Sequence, residues 1–359
     1  MKRIICALLA VLLLALPLTG CRKQEELTRV RLYEVTHSVF YAAQYIAIEQ
    51  GYFADEGLAV ELTNAGGADK AMTALLAGQA DIALMGPESS IYVYNEGRED
   101  FTQVVGQLTQ CDGAFIVGRE PDPDFTLEAL RGKSILGGRA GGIPLMTLEY
   151  ALRRAGLEPG VDVDVRSDVQ FNLMAGAFAG GEGDYTTLFE PTATDMELEG
   201  KCFVLASVGE LAGEVPYTCY QVKKSTLEHN GALVERFLRA IARAQRFVEE
   251  NDARTVAEAL APAFTETSVD TLEKVVERYR SIGAFAGTPV MKQEAYERLL
   301  DIMEQAGELD ARAPYEQVIN NSIAEKIVGE QEKFSARGAE KGGSKPASAC
   351  RQSRQARKR

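Results

Sequence analysis

Short bursts of apolar and polar residues succeed one another along the chain, with a glycine closing most of them. Val30-Arg31-Leu32-Tyr33-Glu34-Val35 alternates with the two-residue period of a strand. Ser38 is placed to cap a helix running to Ile48, which Gly51 ends in a C′ position. A strand follows at 58–62, a small-residue helix at 68–77 closed by Gly78, and a buried strand at 81–85. Gly86-Pro87-Glu88-Ser89 opens the next helix, and Gly97 closes it. Strands and helices alternating at this spacing predict right-handed βαβ units on a parallel sheet.

The second half repeats the pattern. A strand around Ile135 and Leu136 leads into the glycine-rich turn 137–142 and a helix over 144–155. Then come a strand at 161–165, a helix at 172–179 and a strand at 184–189, with Pro191 at a first helical turn. Aligning Asp81 with Asp184 superposes 71–85 on 174–188, with Gly78 against Gly181. The same unit in the same order predicts two related α/β lobes. Leu108 to Cys111 and Tyr217 to Tyr220 then read as two crossing segments between them. Beyond Val222 the chain returns to the first lobe as helices. The first of these, 232–250, carries a stripe of Leu233, Phe237, Leu238, Ile241, Ala244 and Phe247.

The ends change the picture. Lys2 and Arg3 precede an apolar run from Ile4 to Leu18, which is short for a membrane span. Leu18-Thr19-Gly20-Cys21 closes it and resembles a bacterial lipobox, which makes Cys21 the expected lipidation site. One acylated terminus tethers a protein to the outer face of a bacterial cell membrane without spanning it. The expected plan is a lipoprotein signal peptide over 1–20, a tether over 21–29, the first part of lobe 1 over 30–110, and lobe 2 over 111–218. A helical C-terminal part of lobe 1 follows over 219–330, and a disordered basic tail over 331–359. The tail carries nine Lys/Arg against two Glu, and Lys2 and Arg3 add two positive charges. The net −13 of the whole chain therefore leaves −22 for residues 4–330. So acidic a body is unsuited to nucleic acid. With two histidines and no CxxC pair, a metal centre has little to be built from, and no cofactor is expected. Cys111 and Cys219, one on each crossing, are open to two readings: a disulfide, or buried thiols.

His37, Gln44-Tyr45-Ile46-Ala47, Gly51-Tyr52-Phe53-Ala54-Asp55-Glu56-Gly57-Leu58 and Ala77-Gly78-Gln79-Ala80-Asp81-Ile82 carry a family resemblance. Gly132-Lys133, Gly141-Gly142 and Phe189-Glu190-Pro191 extend it. Over roughly 30–325 the chain resembles the ABC-importer solute-binding proteins for nitrate, sulfonate, taurine and thiamine-pyrimidine precursors. The resemblance implies an α/β fold of the type II periplasmic-binding kind, two lobes joined by two crossing segments and closing on a ligand. It also implies a permease and its ATPase as partners. Relatives that make the thiamine pyrimidine use a cysteine-rich iron motif, of which this sequence has no run.

Ligands of open α/β sheets bind beyond the carboxyl ends of the strands. That rule selects loops 36–41, 64–69, 86–90, 138–147 and 189–194, several of which lead into helix N-termini. The candidate ligand-binding residues are His37, Ser38, Tyr41, Gly66, Gly67, Gly86, Glu88, Gly141, Gly142, Phe189, Glu190 and Tyr217. Tyr33, Phe40, Tyr41, Phe189 and Tyr217 divide between an aromatic wall and core. Glu190 either accepts hydrogen bonds from a ligand N–H, bonds its own helix N-terminus, or pairs across the lobes. Asp81 and Asp184 are expected to fix turns. The expected function is capture of a small solute by a monomer without chemistry. The alternative is a secreted α/β enzyme using Glu190 or His37 as general base.

Overall fold

A computed structural model of the chain describes residues 26–342. The lipobox with Cys21 lies outside the described residues, as does the tail beyond Gly342.

Ten strands form two five-stranded sheets. The strands are β1 (Thr28–Glu34), β2 (Leu58–Asn64), β3 (Ile82–Met85), β4 (Thr102–Thr109), β5 (Phe115–Gly118), β6 (Ser134–Leu136), β7 (Asp164–Arg166), β8 (Tyr185–Leu188), β9 (Phe203–Ser207) and β10 (Thr218–Lys223). The first sheet runs β2-β1-β3-β10-β4 and the second β7-β6-β8-β5-β9. The two orders correspond strand for strand, which is the internal repeat the sequence suggests. It extends to hydrogen bonds. Asp81 accepts from the Arg31 N–H at 2.8 Å, and Asp184 from the Ser134 N–H at 2.8 Å. Each aspartate thus ties the start of one strand to its parallel neighbour, as expected of turn-fixing residues.

The sheets are mixed, not purely parallel. β10 runs antiparallel to both β3 and β4, and β5 antiparallel to both β8 and β9. The crossing segments leave the ends of paired strands, because β4 and β10 lie side by side and Thr218 already belongs to the first sheet. At that edge the Thr218 N–H donates to Thr109 Oγ1 at 3.0 Å.

The helical return is as read, with one extension. The helix Lys224–Glu250 starts earlier than 232, with a break in helical geometry at Asn230. Its apolar stripe is buried through Leu233, Phe237, Leu238, Ile241 and Ala244. Phe237 lies 4.9 Å from the rings of both Phe53 and Tyr220, locking the helix to the first lobe. The two ends need correction. β1 begins at Thr28, inside the stretch read as tether, and the last helix runs Ser322–Gly342, past the start of the expected tail at 331. Among the described residues, no helix is long and apolar enough to cross a membrane.

Cys111, Cys202 and Cys219 are all free and buried, so the crossings are not stapled. Cys111 donates its thiol to the Ile282 carbonyl at 3.5 Å, and burial pushes its pKa up to about 12. A thiol so held is a poor thiolate nucleophile. Alkylation of the native protein should leave these cysteines unmodified, and reductant should not alter gel mobility. A reductant-dependent shift that Cys219→Ser abolishes would restore the disulfide.

Candidate functional site

A cavity of about 260 Å³ lies between the lobes, with walls from both. The first lobe contributes Tyr41, Gly66, Gly67, Lys70, Gly86 and Glu88. The second contributes Arg139, Gly142, Ile143, Phe171 and Phe189, while Tyr217 and Thr218 come from the second crossing.

Local sequence sets each wall. After β3 the chain turns at Gly86-Pro87 and enters the helix Glu88–Asn95. Gln221 on β10 fixes this turn, donating from Nε2 to the Gly86 carbonyl at 2.8 Å, while the Ser90 hydroxyl donates to Gln221 Oε1 at 2.6 Å. The Glu88 carboxylate folds back over Gly86. A Cβ at position 86 would meet Glu88 Oε2 at 1.9 Å, so only glycine leaves room for it. Gly67, at φ 157, starts the helix Ala68–Leu76, and Gly142 starts Ile143–Arg154. Neither Gly67 nor Gly142 offers a side-chain cap, so the first N–H groups of both helices lie beside the cavity wall, that of Ile143 drawn on by Glu88. At the end of the first crossing, the Asp112 carboxylate accepts from the Ala114 N–H at 2.7 Å and from the Thr147 hydroxyl. This fixes the helix that Gly142 begins. Burial pushes Asp112 up to about 7 despite these bonds.

The interior is aromatic. Phe189 lies 5.4 Å from Phe171 and 6.1 Å from Tyr217, ring to ring. Phe40 packs behind them, 5.7 Å from Phe189 and 5.6 Å from Tyr217, and does not line the space. Tyr33 is also absent from the wall, so the aromatic wall is narrower than the sequence suggests. Two polar atoms of the wall are buried without a hydrogen-bond partner: Glu88 Oε2 and the Tyr217 hydroxyl. The Tyr217 hydroxyl faces Asp112 without reaching hydrogen-bond geometry, and burial holds its pKa well above the ordinary value. Glu88 is pushed up to about 7 by burial, against the pull of its own N–H, the Ile143 N–H and Arg139.

Tyr41, Gly66, Gly67, Gly86, Glu88, Gly142, Phe189 and Tyr217 are thus brought together as expected. Four candidates stand outside the wall. His37 is half exposed, bonded through Nε2 to the Ala263 carbonyl at 2.9 Å and stacked 4.4 Å from Phe264. Its pKa is raised, chiefly by hydrogen bonding to Glu34. The Ser38 hydroxyl donates across the lobes to the Glu190 carbonyl at 2.6 Å. Gly141 accepts from the Tyr92 hydroxyl at 3.0 Å. Glu190 is fully occupied by protein: Oε2 accepts from the Thr194 N–H at 2.9 Å, and Oε1 from Arg278 Nη1 at 2.5 Å. Of its three readings, bonding to its own helix and pairing across the lobes both hold, and a free acceptor for a ligand does not.

Sequence reasoning passed over the loop 167–172, with Phe171, and the rim cations Lys70 and Arg139. The rule of strand carboxyl ends applied to β7 reaches that loop directly. The expected strand at 161–165 sits early against β7 at Asp164–Arg166, so its exit was not counted.

The model of the family described as NMT1/THI5 like matches residues 39–254. YtlA of Bacillus subtilis (strain 168), a protein named for binding, is 41% identical over 314 residues, 88% of this chain and 94% of YtlA. The chain belongs to the NMT1/THI5-like family. Among solved structures it is similar to the alkanesulfonate-binding protein SsuA from Xanthomonas axonopodis pv. citri bound to MOPS. The TM-score there is 0.68 at 16% identity, over 83% of this chain and 99% of that one. The periplasmic nitrate-binding protein NrtA from Synechocystis PCC 6803 gives 0.66 at 16% identity, over 85% and 89%. At such identities the likeness speaks for the fold alone, and this member of the NMT1/THI5-like family has the two-lobed periplasmic-binding-protein-like fold.

Proposed function

We propose that this chain is the substrate-binding lipoprotein of an ABC importer, anchored through Cys21 outside the cytoplasmic membrane. It holds a small solute between its lobes and presents it to a permease driven by its ATPase. The observation that carries this reading is a cavity walled by both lobes and both lobes' helix N-termini, with aromatic rings and an unpaired polar pair inside. A ligand touching both lobes at once stabilises the closed arrangement over the open one, which is how capture becomes a signal to the permease. Tyr41, Gly66, Gly67, Gly86, Glu88, Gly142, Phe189 and Tyr217 make the proposed contacts. The family resemblance offers a thiamine-pyrimidine-like heterocycle, and the names SsuA and NrtA offer sulfonate or nitrate. The general-base alternative loses its basis, because Glu190 is neutralised by Arg278 and His37 faces away from the cavity.

Mass spectrometry of the native and denatured protein tests the reading. One small compound per chain, released unchanged on denaturation, is the expected result. Conversion of that compound during incubation with fresh protein would overturn carriage. Labelling of growing cells with a fatty-acid analogue should mark the protein and fail on Cys21→Ser.

A further inference from the structure

The deep wall of the cavity holds a carboxylate where an anion receptor would place a cation. Glu88 is 2% exposed and Tyr217 3% exposed, both line the same space, and each has a buried oxygen without a hydrogen-bond partner. The groups facing Glu88 are Tyr92 from its own helix, Tyr41 from the turn before the Ala42–Glu49 helix, and Tyr217 and Cys219 from the second crossing and β10. Arg139 and the Ile143 N–H face it from the other lobe. None of these is a buried cation. Arg139 and Lys70, the cationic side chains of the wall among the described residues, are exposed at its rim, and Arg139 bonds its neighbour's Ala140 carbonyl at 3.3 Å. An oxyanion pushed to the deep end would set like charge against Glu88 in a medium of low dielectric. The donors it would find there, the Tyr41 and Tyr217 hydroxyls and backbone N–H groups, are all uncharged and cannot offset that repulsion.

We propose that Glu88 and Tyr217 are the specificity-determining pair of the cavity, selecting a solute whose buried end donates hydrogen bonds from nitrogen and rejecting a bare oxyanion at that end. The nitrogen end is an amidinium, ammonium or amide. Its N–H answers Glu88 Oε2, and beside it the Tyr217 oxygen accepts a second N–H from an amidinium or ammonium, or the Tyr217 hydroxyl donates to the carbonyl of an amide. An acidic group on the same solute belongs at the rim, by Lys70 and Arg139. The inference rests on the carriage reading and narrows it. Because Glu88 sits near pH 7, lowering the pH supplies the proton that an oxyanion needs in order to be bonded there.

Isothermal titration of the full chain at pH 8 with benzamidine, benzamide, benzoate and benzenesulfonate tests the pair, since the probes share a ring and differ in the polar group. Benzamidine is expected to bind at least tenfold more tightly than either anion. Glu88→Gln should bring the ratio close to one. Tyr217→Phe should weaken benzamide and benzamidine several-fold without changing the cation-to-anion ratio. At pH 5.5 benzenesulfonate should gain affinity in the wild type and not in Glu88→Gln. Should Glu88→Gln fail to fold by circular dichroism, the Tyr217→Phe and pH arms decide alone. Anions binding as tightly as benzamidine at pH 8, an unchanged ratio in Glu88→Gln, or no binding of any probe up to its solubility would each overturn the proposal. A simple oxyanion recovered unchanged from the native protein would sink the pair and leave carriage standing, whereas chemical conversion of a probe would sink carriage.

Discussion

Arg278→Ala should lower the free energy of unfolding by about 3–5 kcal/mol, while Glu190→Gln should cost only about 1–2 kcal/mol. The asymmetry follows from where the two charges lie. The Glu190 side chain is 0% exposed, whereas that of Arg278 is 29% exposed and also reaches Glu197 at 3.2 Å. Removing the arginine strands an ionised carboxylate in the interior with only Thr194 for company, through its N–H and its hydroxyl, each at 2.9 Å. The carboxylate must then take up a proton or admit water. Removing the charge from Glu190 leaves Arg278 partly solvated and still paired, and the glutamine oxygen can keep the Thr194 N–H. The pair also joins the lobes. Arg278 belongs to the C-terminal helix Val269–Ser281, and its neighbour Tyr279 accepts from the Glu190 N–H at 3.0 Å. Arg278→Ala should therefore raise the radius of gyration of the ligand-free protein in small-angle scattering as well. Urea unfolding with equal costs for the two variants, or a cost below about 1 kcal/mol for Arg278→Ala, would contradict this account.

Glu190 also marks where sequence reading runs out. Its place after a buried strand and before a helix was legible from Tyr185 to Pro191, because strand period and proline position are local signals. Its partner was not, since Arg278 lies 88 positions away on a helix of the other lobe. His37 fails in the same way: the loop is where the strand rule puts it, but Ala263 and Phe264 claim the ring. Elements punctuated by glycine came through well, as with Ala68–Leu76 and Ile82–Met85. Strand β4 did not, because Thr102, Gln103, Gln107 and Thr109 are buried polar residues that hide the apolar pattern. β10 depends on a chain reversal between β3 and β4, which is a pairing of distant segments with no local trace. The site residues that were legible are those for which backbone chemistry decides the position: Gly67 and Gly142 at helix starts and Gly86 beneath a carboxylate. The rim cations are set by lobe packing, and nothing in their neighbourhood announces them.

The second large effect is on stability against pH, and it has the opposite sense to ordinary acid denaturation. Glu88 and Asp112 ionise at about 7 in the folded protein, against ordinary values of 4.5 and 3.8. A carboxyl raised in this way holds its proton more tightly folded than unfolded, so stability falls as pH rises wherever the folded state binds more protons. The penalty is absent below about 4, grows between there and about 7, and is complete above 7. For each group it is of the order of 3 kcal/mol. His37 acts in the same direction: its raised pKa gives stability that is present in acid and lost as pH climbs through that pKa. Asp81 and Asp184, lowered by Arg31 and by Ser134 respectively, work the other way, but only below their ordinary value of 3.8. Between pH 5.5 and 8.5 the first set dominates, with Glu56, Glu149 and Asp195, also raised by burial, acting in the same direction, and urea unfolding should show several kcal/mol lost as pH rises. Glu88→Gln removes one of these two raised carboxyls and should flatten up to about half of that slope, becoming more stable than the wild type at pH 8.5. Asp112→Asn should gain less, because its amide cannot accept from both Ala114 and Thr147 as the carboxylate does. A wild-type stability that is level or rising across this interval would mean that neither carboxyl is held protonated. An unchanged slope in Glu88→Gln would place the proton elsewhere, and with it the reason an oxyanion should be refused at the deep end of the cavity.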